Sequence, residues 1–194
     1  MIFFVASFES YRNYSKNAGS EVIRLLIKRF SNQFKSKNWG IQDHTFIFVP
    51  DLKIEYKEID SLVIPEACDC VLILNVSPKC KSSLMTIEWR ANSQGYVKRD
   101  LAGEVCKNKY DKKNETLKSS ICLKNIQKGL VNYSIEISDN AGRGISEYLL
   151  FKSLKEVGPK SLLINLCDEK FQSLTLSADA VQELIFYLIK TNKH

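Results

Sequence analysis

Residues 144–166, GISEYLLFKSLKEVGPKSLLINL, decide how the chain is read. From Gly144 to about Val157 the residues form a helix, and Gly158-Pro159 ends it, because proline cannot continue the hydrogen-bond ladder. The six residues that follow, SLLINL, are almost all apolar and too few for a helix, which is the pattern of a strand buried on both faces. Upstream, YSIEIS (133–138) alternates strictly and predicts another strand.

The same alternation continues outward. Ile2–Ser7 is an apolar run that predicts a first strand, and Val22, Leu25, Leu26 and Phe30 stripe a helix over Ser20 to about Phe34, with Ser20 as its N-cap. HTFIFVP (44–50) predicts a second strand and Tyr56–Leu62 a short helix. CDCVLILNV (68–76) predicts a third strand, with the Cys68 and Cys70 thiols on one face. SSLMTIEWRAN (82–92) has strand character, whereas 93–118 is polar and predicts a long loop, a length that suggests a task. LKNIQKGL (123–130) predicts a short helix, and Val181, Leu184, Ile185 and Leu188 stripe a last one. Alternating strands and helices predict one α/β domain over 1–194, a three-layer α/β/α sandwich with a largely parallel twisted sheet. In such sheets ligands sit beyond the carboxyl ends of the strands, so the loops there are candidate sites.

Composition narrows the function. A chain of 194 residues, 44% hydrophobic, is long enough for one sizeable core. The net charge of +6 is dispersed, and its densest stretch, KNKYDKKNETLK (107–118), reads as a solvated loop, so no nucleic-acid partner is expected. No segment approaches the roughly 18 apolar residues of a membrane span, and MIFFVASF lacks the charged start of a signal peptide. The six cysteines show no C-x-x-C spacing and there are only two histidines, so reduced thiols in a cytoplasmic protein without a metal or cofactor are expected.

Three segments together resemble the pyroglutamyl peptidase I (pyrrolidone carboxyl peptidase) family, cysteine peptidases that remove an N-terminal pyroglutamate. SFESYRNYSKNAGSEV (7–22) is similar to the family's first loop, with Phe8, Glu9, Tyr11 and Asn17 in register and Ser7, Ser10, Arg12, Ala18 and Gly19 departing from it. LMTIEWRAN (84–92) resembles the block that carries the catalytic glutamate, which falls on Glu88. SDNAGRGISEYLLFKSL (138–154) resembles the S-x-x-A-G-R-x-x-C segment that opens the nucleophile helix, and the cysteine falls on Ser146. The family's histidine, at a strand end, falls on Asn165 in LLINLC. The resemblance further implies that Phe8, Tyr11 and Ile145 lie against the lactam ring, that Asn17 and Asn75 belong to the binding site, and that Lys98 or Arg99 stands for an oxyanion-stabilising arginine. It also implies a possible homo-oligomer.

The implied catalytic unit lacks its chemistry. A cysteine at a helix N-terminus beside an imidazole is active because the helix dipole and the cation favour the thiolate. A serine hydroxyl is too basic to gain as much and depends on a general base, which an asparagine amide cannot be. The remaining histidines are His44, before the second strand, and His194, the last residue. The expectation is therefore a catalytically inactive relative that binds a peptide N-terminus or a protein partner in the former cleft. Two alternatives stand beside it: an active hydrolase with Ser146 as nucleophile, and a basic interaction scaffold that does not use the cleft. Without any ligand, Ser146 would be a small polar residue at a helix start, Asn165 a strand-end amide and Glu88 an exposed acid of an alternating strand.

Overall fold

Apolar runs of period two and stripes of period 3.6 become strands and helices in the computed structural model, which describes residues 1–11, 16–35, 43–76, 85–106 and 114–191. The strands are β1 (Ile2–Phe8), β2 (Thr45–Leu52), β3 (Cys70–Val76), β4 (Met85–Glu88), β5 (Arg90–Asn92), β6 (Thr116–Lys118), β7 (Ile135–Ser138) and β8 (Ser161–Leu166). The helices are α1 (Ala18–Lys35), α2 (Tyr56–Ser61), α3 (Leu123–Gly129), α4 (Ile145–Glu156) and α5 (Leu174–Thr191). A six-stranded sheet in the order β2-β1-β3-β8-β4-β7 forms the middle layer. β2, β1, β3 and β8 are mutually parallel; β4 runs antiparallel to β8, and β7 runs parallel to β4. The predicted α/β architecture with a largely parallel sheet is thus present, with two reversed strands at one edge.

Strand alternation divides the core in two. Phe3, Val5, Leu72, Leu74, Leu162 and Ile164 pack against Val22, Ile23, Leu26 and Phe30 of α1 and the apolar stripe of α5. Phe4, Ala6, Phe8, Val71, Ile73 and Leu163 pack against α2 and α4. Helix α4 is buried from Ser146 to Leu154 without a polar face, as expected of a helix enclosed on all sides. The antiparallel β5–β6 ribbon lies against it, opposite the sheet.

Four local expectations change. Helix α1 begins at Ala18, and its cap is Asn17, whose Oδ1 accepts the Gly19 N–H at 2.8 Å; Ser20 is inside the helix, donating to the Phe8 carbonyl at 2.8 Å. Gly19 is required there, since a Cβ would lie 2.3 Å from Ser7 Oγ and 2.9 Å from the Leu74 carbonyl. The strand expected over 82–92 divides at Trp89 into β4 of the main sheet and β5 of the ribbon; 82–84 lie outside the described residues. Cys68 precedes β3 and packs on the α4 side, whereas Cys70 packs on the α1 side, so the two thiols do not share a face. Finally, the loop expected over 93–118 is anchored to the fold in its described parts and contains a short strand. Tyr96 and Cys106 are buried, the Asp100 carboxylate accepts the Tyr56 and Glu104 N–H groups at 3.0 and 2.9 Å, and β6 closes the ribbon. Residues 107–113 lie outside the described part, as does His194.

Candidate functional site

The loop that enters α4 is a tight left-handed turn. Gly142 has φ +89° and Arg143 φ +53°; the glycine adopts this freely, and the arginine does so at a cost of about 1 kcal/mol. The turn is held by Glu147, 1% exposed in the first turn of α4. Its Oε2 accepts the Arg143 N–H at 2.7 Å, while Oε1 accepts both the backbone N–H and the Nδ2 of Asn92 at 3.1 and 3.0 Å. The Arg143 guanidinium donates to the Gln94 carbonyl at 2.7 Å. One buried carboxylate therefore joins the helix start, β5 and the following loop, and it places Ile145 and Ser146 at the head of α4.

These residues face a cavity of about 490 Å³ beyond the carboxyl ends of β1, β3 and β8. Phe8, Tyr11, Asn17, Asn75, Ile145 and Ser146 all line it, so six of the eight residues expected at a site converge on one space. Lys98 and Arg99 line it too. Ser146 is 8% exposed, and no described side chain exchanges a hydrogen bond with its Oγ within 3.5 Å.

Glu88 and Asn165 lie behind the cavity wall instead. Asn75 on β3 is directly opposite Asn165 on β8, and Asn165 is opposite Thr86, two residues from Glu88. Alternation turns all three side chains to the α4 face, where they form a row: Asn75 Nδ2 donates to Asn165 Oδ1 at 3.0 Å, and Asn165 Nδ2 donates to Glu88 Oε1 at 3.2 Å. Glu88 is 4% exposed, so it is not the exposed acid that an isolated alternating strand would carry. Burial pushes its carboxyl up from the ordinary glutamate range, and the Glu147 charge adds to this; the Ser138 hydroxyl, the Asn140 N–H and Asn165 pull it down without cancelling it. Neither Ser138 nor Asn140 closes a hydrogen bond to Oε2, which has no partner among the described residues.

The one described histidine, His44, is remote from this region. His44 lies at the start of β2 with its Nδ1 3.0 Å from the N-terminal amine. Among the described residues there is no cluster of three or more metal-ligating side chains, and no helix is long and apolar enough to cross a membrane.

A mutant pyrrolidone carboxyl peptidase from the hyperthermophile Pyrococcus furiosus matches this structure with a TM-score of 0.76, over 98% of this chain and 99% of that one, at 17% identity. The chain has the fold of a pyrrolidone carboxyl peptidase. The pyrrolidone carboxyl peptidase of the thermophilic keratin-degrading bacterium Fervidobacterium islandicum AW-1 gives a TM-score of 0.72 over 98% and 99% of the two chains at 16% identity. No family model and no curated protein matches the sequence.

On this peptidase fold the sequence left several lining residues unnamed: Lys16, Ile54, Tyr56, Asp168, Glu169 and Lys170. Asp168–Lys170 follow β8, and Ile54 follows β2, so the carboxyl-end rule alone points to those loops. The structural part of Glu147 had no comparable signal, since its partners Asn92 and Arg143 come from separate elements.

Proposed function

We propose that the protein is a non-catalytic relative of the pyroglutamyl peptidases that holds a peptide N-terminus in the former active-site cleft without cleaving it. The observation that supports this is the state of Ser146. Its hydroxyl lines the cavity with no described base within hydrogen-bond distance, and the Asn165 amide is tied between Asn75 and Glu88. An amide has no basic nitrogen, so Ser146 has nothing there to take its proton. Loss of a nucleophile and its base from a unit that acts together costs about 10⁴ to 10⁶ in turnover. Binding needs neither, and Phe8, Tyr11 and Ile145 retain an apolar wall for a small ring. The cysteines among the described residues form no disulfide, which suits a cytoplasmic protein.

A chromogenic pyroglutamyl amide tests the catalytic half of this reading. The expected result is no release above background and no change in Ser146→Ala; turnover that Ser146→Ala abolishes would establish a serine hydrolase instead. A calorimetric titration with a pyroglutamyl peptide tests the binding half. Saturable heat that Phe8→Ala and Ile145→Asp reduce is expected, and its absence would leave the cleft without a role.

A further inference from the structure

The mouth of the cavity carries charge that its own surface does not neutralise. Lys16 precedes α1, Lys98 and Arg99 follow β5, and Lys170 follows β8, so three separate segments bring four exposed cations to one opening. Elsewhere Arg24, Arg29 and Arg90 pair with carboxylates. Among the described residues none of the four cations at the mouth does. Two of them are held by backbone carbonyls instead: Lys98 Nζ donates to Gly142 at 3.2 Å, and the Arg99 guanidinium donates to Gly103. A carbonyl fixes the position of a cation without cancelling its charge, so both are placed before any partner arrives. The contact with Gly142 also sets Lys98 beside the start of α4, the end of the helix dipole that favours an anion.

The carboxylates nearby weaken this field only in part. Asp100 is buried, and its oxygens accept the Tyr56 and Glu104 N–H groups. Glu147 is engaged by Arg143 and Asn92 and is not part of the cavity wall. Asp168 and Glu169 are left against the four cations. A cleft lined mainly by one sign of charge concentrates partners of the opposite sign. Resting on the reading of the cavity as the site of a peptide N-terminus, we propose that its mouth selects an acidic peptide, whose carboxylates, in the residues directly after the N-terminal one, lie against Lys98, Arg99 and Lys170. The selection acts on the chain that leaves the cavity, not on the group at its end, and a basic chain is repelled by the same charges.

Calorimetry with three amidated peptides, pyroglutamyl-Glu-Glu, pyroglutamyl-Gln-Gln and pyroglutamyl-Lys-Lys, tests this. At about 50 mM salt the acidic peptide should bind at least about tenfold more tightly than the Gln peptide, and the Lys peptide more weakly than either. At about 500 mM salt the preference should fall to about threefold or less, because screening shortens the reach of each charge. In Lys98→Glu the low-salt preference should fall to about threefold or less. Lys170→Glu, at an exposed position after β8, should act likewise and serves if Lys98→Glu does not fold. Lys128→Glu, on α3 outside the cavity, changes the net charge equally and should leave the preference intact. Equal binding of the acidic and Gln peptides at low salt would overturn the inference and leave the cleft reading standing. A preference that survives high salt or both mouth variants, or that Lys128→Glu removes as well, would also overturn it. If none of the peptides binds, the cleft reading and this inference fall together.

Discussion

At residue 165 an amide occupies a position where the resemblance implies an imidazole. Asparagine donates and accepts at once, so it can bridge Asn75 and Glu88, but it cannot take a proton from Ser146. Restoring both groups, Ser146→Cys with Asn165→His, is expected to raise pyroglutamyl amide turnover at least about a hundredfold over either single change, because nucleophile and base act as a unit. Steady-state release of the chromophore reads this. The Glu88 carboxyl makes a second expectation at this scale. Its affinity for protons is higher in the folded chain than in the unfolded one, so folding binds more protons, and stability is lost as the pH rises from 4.5 through the raised native value. Glu88→Gln should flatten that decline, which urea denaturation at a series of pH values measures.

At the scale of the element, the start of α4 is held by a side chain rather than by a conventional cap. Gly144 occupies the N-cap and offers no side chain, and Glu147 reaches back to Arg143 while also accepting from Asn92. Glu147→Ala should leave these partly buried donors without their acceptor and cost about 1–3 kcal/mol. Glu147→Gln, which keeps the acceptor, should cost less, as chemical denaturation will show. The limits of α4, from Gly144 to Gly158-Pro159, were legible because breakers act locally. The stripes of α1 and α5 were legible for the same reason, since each buries one face against the sheet. The cap of α1 was misassigned to Ser20 because its hydroxyl serves two other backbone groups, the Phe8 carbonyl and the Asp51 N–H. Nothing local to Ser20 reveals either partner.

Across the whole molecule, the sheet has a different core on each face, and adjacent residues of one strand serve both. Leu162 packs under α1 and α5, and Leu163 under α4. Leu162→Ala and Leu163→Ala should each cost about 2–5 kcal/mol. In calorimetry each should lower one shared transition rather than separate two, if the chain folds as the single domain its length suggests. Strands, helices and their order were written in local patterns, because burying an apolar face fixes the period of each segment. The cavity-lining residues at strand ends followed from the carboxyl-end rule. The reversal of β4 and β7 did not, since pairing direction is a contact between distant segments and leaves no mark in either alone. That reversal, with the β3–β8 register, brings Asn75, Asn165 and Glu88, separated by 90 and 77 residues along the chain, into one hydrogen-bonded row. The sequence by itself determined which residue types stand at these positions, and therefore that no imidazole is among them. Only the tertiary structure decided that Glu88 is buried, that Asn165 is held from both sides and that Ser146 lines a cavity, because burial and hydrogen-bond partnership are properties of the packed chain.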